Sequence, residues 1–141
     1  MNVNIMLDED AQMPTRAHET DAGYDLYSPV DCIIYGGDSV VIDTGVHIEI
    51  PAGYVGFLKS KSGLNVNHGL TGEGVIDAGY TGSIKVKLYN HNADRLQLHQ
   101  ICEGDKIIQL VLLPIITPEL TLVKRFADTP RGGDGFGSTG R

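Results

Sequence analysis

What most constrains this chain is a side-chain period of two, broken at short intervals by glycine, proline, asparagine and aspartate. In SVVIDTGVHIEI, residues 39–50, Val40, Ile42, Val46, Ile48 and Ile50 share one parity, while Asp43, His47 and Glu49 take the other. In GSIKVKLYN, residues 82–90, Ile84, Val86 and Leu88 alternate with Lys85, Lys87 and Tyr89. Successive side chains of a strand point to opposite faces, so both patterns predict half-buried strands. KIIQLVLLPI, residues 106–115, is nearly continuous apolar. It predicts a strand buried on both faces, either within the chain or against a neighbouring one. NVNIML and LTLVKRF predict further short strands, and YGGD, PAGY, DAGYTG, NHNAD and EGD mark turns between them. No window of about a dozen residues keeps a helical period of about 3.6. SGLNVNHG, residues 62–69, is the best candidate for a turn or two of helix.

Many short strands joined by glycine and proline turns point to an all-β fold. The expectation is a jelly-roll-like, distorted β-barrel or sandwich with at most one short helix and a flexible C-terminal tail. A chain of 141 residues, 41% hydrophobic and 21% charged, suits a single domain with a real core, spanning residues 1–141. No apolar run reaches the ~18 residues of a membrane span. MNVNIMLDED lacks the basic and apolar regions of a signal peptide. Cys32 and Cys102 have no metal-type spacing and read as reduced thiols of a cytoplasmic protein, or of the host cytoplasm if the chain is viral. His99 lies near Cys102 but brings no further ligands for a metal. A net charge of −7 argues against nucleic-acid binding, which needs a basic face. It leaves room for a small anion held by a few cations, backbone N–H groups and a divalent metal.

Five stretches look too polar and too glycine-rich for strands. They are DAGYDLYS (21–28), KSKSGL (59–64), GEGVIDAGYTG (72–82), GDKIIQL (104–110) and RGGDGFGSTGR (131–141). Singly, each reads as turn chemistry, because glycine and aspartate are ordinary turn formers. Asp77 on its own reads as a turn aspartate opening a hairpin, and Tyr80 as a strand tyrosine packed on a neighbour. Lys59 and Lys61 read as solvated loop charge, and Gln109 as a buried glutamine satisfied by backbone. Asp21 reads as a turn residue. The last stretch holds five glycines in eleven residues and packs no core. It is no phosphate-binding loop of the Walker type, since no GK[ST] follows its glycines.

Taken together, in this order and over essentially the whole chain, the five stretches resemble the five motifs of the homotrimeric dUTPase family. That resemblance implies hydrolysis of dUTP to dUMP and pyrophosphate, which keeps uracil out of DNA and supplies dUMP for thymidylate synthesis. Asp77 would activate the water that attacks the α-phosphorus. Tyr80 would lie under the deoxyribose and exclude a 2′-hydroxyl. The hairpin around residues 71–76, with Gly74, Val75 and Ile76, would read uracil through its backbone, because a mismatched edge leaves buried polar groups unpaired. Lys61, Ser62 and Gly63 would contact the phosphates. Lys61 stands where the family usually has arginine, and lysine keeps the charge but loses the bidentate fork. Gln109 would donate to the α-phosphate, and Asp25 would hold Mg2+ through water. Arg131 would grip the γ-phosphate, Phe136 would stack on the uracil, and Gly137, Ser138 and Thr139 would donate to the phosphates. Residues 130–141 would then be a mobile lid. Family trimers share their sites among subunits, so the implied partners are dUTP and further copies of the chain, with no nucleic acid and no membrane.

Two rival readings differ in their residues. dCTP deaminases share the fold and the third motif but carry a catalytic glutamate in the strand after it. Here that strand, IKVKLYN, offers lysines and no carboxylate, which argues against deamination. A β-sandwich that binds a nucleotide without turnover is the other reading, since fold alone does not dictate function. A pure binder, however, has no use for Asp77 beside the α-phosphate.

Overall fold

A computed structural model describes residues 2–135. In chain order its elements are β1 (Asn4–Leu7), β2 (Gly23–Tyr27), β3 (Cys32–Ile34), β4 (Ser39–Asp43), β5 (Val46–Glu49) and β6 (Tyr54–Lys59). There follow α1 (Ser62–His68), β7 (Leu70–Thr71), β8 (Glu73–Ile76), β9 (Lys85–Asn90), β10 (His99–Ile101) and β11 (Lys106–Pro114). The strands form four antiparallel sheets, ordered β1-β5, β10-β3, β2-β11-β6-β8 and β4-β9-β7. Neighbours in these sheets are mostly distant in sequence, and the fold is all-β, of jelly-roll type. Leu26, Ile42, Leu58, Ile84, Val86, Leu88, Ile107, Ile108 and Leu110 meet in one core.

Strand β9 follows the expected alternation, with Val86, Leu88 and Asn90 buried and Lys85, Lys87 and Tyr89 exposed. The buried Asn90 is satisfied. Its Nδ2 donates to the carbonyls of Ile34 and Gln97, each at 2.9 Å, which ties the small β3-β10 sheet to β9. The expected helix forms over Ser62–His68 and stops at Gly69, where φ is +66° and the N–H donates to Asn65 O at 2.9 Å. Such a left-handed cap suits glycine, which has no Cβ to clash.

Four expectations are corrected. The run 39–50 is two strands, because the chain turns at Thr44–Gly45. Gly45 has φ +64°, and an added Cβ would sit 2.9 Å from Ala11 Cβ. The first half therefore pairs with β9 and the second with β1. Second, DAGYDLYS and GEGVIDAGYTG are not strand-free: they supply β2 and β8, while GDKIIQL runs into the expected strand β11. Long-range ladder partners override their polar composition, since strand preference depends on context. Third, β11 is buried on both faces only near its start, where Ile107 and Ile108 are fully buried, while Leu113 is 43% exposed. Fourth, LTLVKRF forms no strand. Apolar, β-branched residues favour a strand only when a ladder partner is present, and no described strand pairs with 120–126.

Candidate active site

The central sheet gathers one group of the expected site residues. Asp25 on β2 stands opposite Gln109 on β11, which stands opposite Lys59 on β6, which stands opposite Glu73 on β8. One row of the sheet thus brings together segments far apart in sequence. Lys61 follows β6 and pairs with Asp25 Oδ1, and Lys106 pairs with Asp25 Oδ2 at 2.9 Å. Ser62 and Gly63 open α1 directly after Lys61 and are exposed. Gln109 donates through Nε2 to Ser60 O at 3.1 Å, so its backbone satisfaction is real. Gly23 makes room for it, because a Cβ there would lie 2.6 Å from Gln109 Oε1.

Asp25 is only 8% exposed. Burial pushes its carboxyl upward, but hydrogen bonds and charge from Lys61 and Lys106 outweigh that and hold it below the usual carboxylate value. The result is an ionised carboxylate between two ammonium groups. A register shift in β11 between Lys106 and Ile108 breaks the regular pairing beside Lys106.

The second group lies on strand β8 and the turn after it. Gly74, Val75 and Ile76 pair with Leu58, Phe57 and Gly56 of β6. A Cβ at Gly74 would come within 3.0 Å of Leu58 Cδ1. Asp77 is exposed at the strand's end. The turn behind it is held by Tyr80 N–H donating to Asp77 O at 3.2 Å, with Gly79 at φ +84°. Tyr80 folds back so that its hydroxyl donates to Ser83 O at 3.0 Å, and Gly82 clears the ring, since a Cβ there would lie 2.5 Å from the phenol oxygen. Ser83 Oγ in turn donates to Asp43 Oδ2 at 3.0 Å.

The chain does not bring these two groups together. Gln109 and Glu73 lie two strands apart in one row, and Asp77 is four residues beyond Glu73. At ~4.8 Å per strand and ~3.3 Å per residue, Asp77 is roughly 16 Å from Gln109 within one chain. The tail is a third group. Arg131 is exposed and closes a turn through Nε to Asp134 O at 3.1 Å. Phe136, Gly137, Ser138 and Thr139 lie outside the described residues. Asp21 is a turn residue, its Oδ2 accepting from His18 N–H at 2.9 Å.

Sequence reasoning missed Lys106, although it sits three residues before Gln109 in the fourth stretch. Its charge gave no signal of a partner on β2. Lys59 is paired with Glu73 at 2.8 Å rather than simply solvated, but both side chains are more than half exposed, where such pairs contribute little. The outward side chains of β9 include no carboxylate, and Lys85 pairs with Asp43 at 3.7 Å.

Comparison with known proteins agrees over nearly the full length. The dUTPase family profile matches residues 9–140. A deoxyuridine 5′-triphosphate nucleotidohydrolase of Clostridium tetani is 41% identical over 139 residues, covering 96% of this chain and 94% of the relative. A probable deoxyuridine 5′-triphosphate nucleotidohydrolase of Schizosaccharomyces pombe is 41% identical over 135 residues, covering 95% and 94%. The dUTPase of Staphylococcus bacteriophage 80alpha, solved with dUpNHpp, superposes with a TM-score of 0.94 at 35% identity, covering 99% of both chains. The dUTPase of phage phi11 of S. aureus, solved in a mutant form that reveals the coordination of a structural Mg(II) ion, gives 0.84 at 36% identity, covering 89% of this chain and 99% of that one.

Proposed function

The chain belongs to the dUTPase family and is a dUTP nucleotidohydrolase, and from that premise we propose that it splits dUTP into dUMP and pyrophosphate in a Mg2+-dependent reaction, with Asp77 as the base. The observation that carries this reading is the row that sets Asp25 opposite Gln109, with Lys61 reaching Asp25 from the segment that leads into Ser62 and Gly63. A triphosphate needs cations and donors in one place, and this row supplies them. Lys61, Ser62 and Gly63 take the phosphate chain, and Gln109 donates to the α-phosphate. Asp77 takes a proton from the attacking water, a role worth ~10²–10⁴-fold in rate. Tyr80 lies under the deoxyribose. The backbone of Gly74, Val75 and Ile76 reads the uracil. Arg131 holds the γ-phosphate, and Phe136, Gly137, Ser138 and Thr139 complete the lid.

Asp25 fits a hydrated Mg2+. Such an ion keeps most of its waters and needs from the protein only an ionised outer-sphere acceptor, which this carboxylate is. No cluster of three or more potential ligands lies among the described residues of one chain. When bound, Mg2+ would neutralise charge on the phosphates. Lys61 and Lys106, which hold Asp25, would orient that carboxylate towards the ion's waters.

The separation of the two groups supports a shared site. A base must stand within ~3 Å of the proton it takes, or one water away. Roughly 16 Å between Asp77 and Gln109 in one chain is too far for both to act on one α-phosphate. We therefore read the hairpin and the phosphate row of each site as coming from different copies, in a homotrimer. The extended segment after β11 supports assembly too. Ile116, Leu120, Leu122 and Phe126, close together in sequence, are 87%, 95%, 99% and 89% exposed, and so many large apolar side chains left in the open suit an interface.

Pyrophosphate release from dUTP, with and without Mg2+ and with UTP, dCTP and dTTP as controls, tests the reading. Selective turnover of dUTP that chelation abolishes is expected. Tight dUTP binding without turnover would replace the enzyme with a binding module.

A further inference from the structure

We propose that His47 is a positioning residue for the turn after β8 that carries Asp77 and Tyr80, acting as a doubly protonated bridge between the Asp8 carboxylate and the Thr81 carbonyl. His47 lies on β5, with Nδ1 2.8 Å from Thr81 O and Nε2 3.1 Å from Asp8 Oδ1. Both partners can only accept. A neutral imidazole has one N–H and would set a lone pair against one of these oxygens, whereas the imidazolium donates to both. Asp8 is itself fixed to the sheet, its N–H donating to Gly45 O at 2.9 Å. The ring also lines an open groove of about 240 Å³ with Glu49 and Thr81, so water reaches it.

The charged groups facing the ring are mostly anions: Asp8 after β1, Asp43 on β4 and Glu49 on the same face of β5. Lys85 is engaged with Asp43 at 3.7 Å. The hydrogen bond to the Thr81 carbonyl, then Asp8 and Asp43, raise the His47 pKa above its ordinary value against an opposing effect of burial. The sign follows. A pKa raised in the folded state means the bridge is fully formed below the ordinary histidine value near ~6.5. It is lost as pH rises through the raised value. Ser83 and Asp43 then remain as the second tether of the hairpin. A loosened hairpin misplaces Asp77, and small misplacements of a base are costly to rate. The phosphate row and the Gly74–Ile76 backbone are held by their own ladders with β6, which the bridge does not touch, so kcat should respond more than KM.

The consequence for turnover rests on Asp77 being the base; the titration and the anchoring do not. The test follows the His47 ring by NMR against pH in the full chain, alongside the kcat–pH profile and amide exchange at residues 81–83. Asp8 is an exposed side chain, so Asp8→Asn should fold normally and lower the His47 midpoint. The alkaline limb of kcat should move down with it, and amides 81–83 should exchange faster above the midpoint. His47→Gln should lack that limb and turn over several-fold more slowly. An ordinary His47 midpoint in the unmodified chain, or a limb that stays put while the midpoint moves, overturns the proposal. If His47→Gln fails to fold, Asp8→Asn alone still decides. If Asp77→Asn stays active, the base assignment fails while the ring titration and the amide exchange still report on the bridge.

Discussion

The phosphate row and the Asp77 hairpin are held by opposite means. Asp25 and Gln109 are positioned by register between β2 and β11, and Lys61 reaches Asp25 from just past β6, leaving the carboxylate nearly buried between two lysines. Asp77 and Tyr80 sit on an exposed turn, held by a local hydrogen bond, a left-handed glycine and side-chain tethers to Ser83 and Thr81. The difference teaches where each function can tolerate change. A cradle for a highly charged ligand gains from a rigid sheet that fixes its cations before binding. Under the proposed sharing of sites, a base that serves a neighbouring copy must stand out from its own chain, and the exposed turn would project it.

The largest effect should come from the hairpin's one proposed chemical group. Asp77→Asn should cut pyrophosphate release by ~10²-fold or more while calorimetry finds dUTP affinity little changed. Near-normal turnover would leave the hairpin only a role in binding. Next, mixing separates the regions directly. Asp77→Asn and Gln109→Ala chains, each impaired alone, should recover about a quarter of the normal rate when co-refolded one to one, because random assembly pairs an intact hairpin with an intact row at that frequency. No recovery would place both regions in the same chain's site.

Smaller effects sharpen the description of the row. Lys61→Met leaves Asp25 with one partner and should cost about 1.5–3 kcal/mol in urea unfolding, together with a raised KM. An unchanged stability would mean the lysine is solvated and serves only substrate. Because the lysines hold the Asp25 carboxyl below its unfolded value near ~3.9, its stabilisation is present above that pH and lost as pH falls through the folded value. Lys106→Met should raise that folded value and move the acid-unfolding midpoint upward by a few tenths of a pH unit, an order-of-magnitude expectation.

Legibility divided along the same line. Strand β9, helix α1 with its Gly69 cap, and the turns at Gly37, Gly53, Gly79 and Gly104, all at positive φ, follow from alternation and turn residues alone. These are local properties, set by pleat geometry and by the steric freedom of glycine. The motif order was equally readable, and so was each residue type the chemistry needs. Strand β2 was not, because its polar residues become a strand only once β11 lies beside it. Nor was the failure of 120–126 to pair, since propensity cannot supply a missing partner.

By itself the amino-acid order determined the class of fold, the turns and the roster of groups available for phosphate chemistry, because each depends on neighbours a few residues away. Tertiary structure alone decided that Lys106 shares Asp25 with Lys61, that His47 reaches across to Thr81, and that Asp77 stands roughly 16 Å from the phosphate row of its own chain. Those are distances between segments remote in sequence, and they come into being only when the sheets take their register.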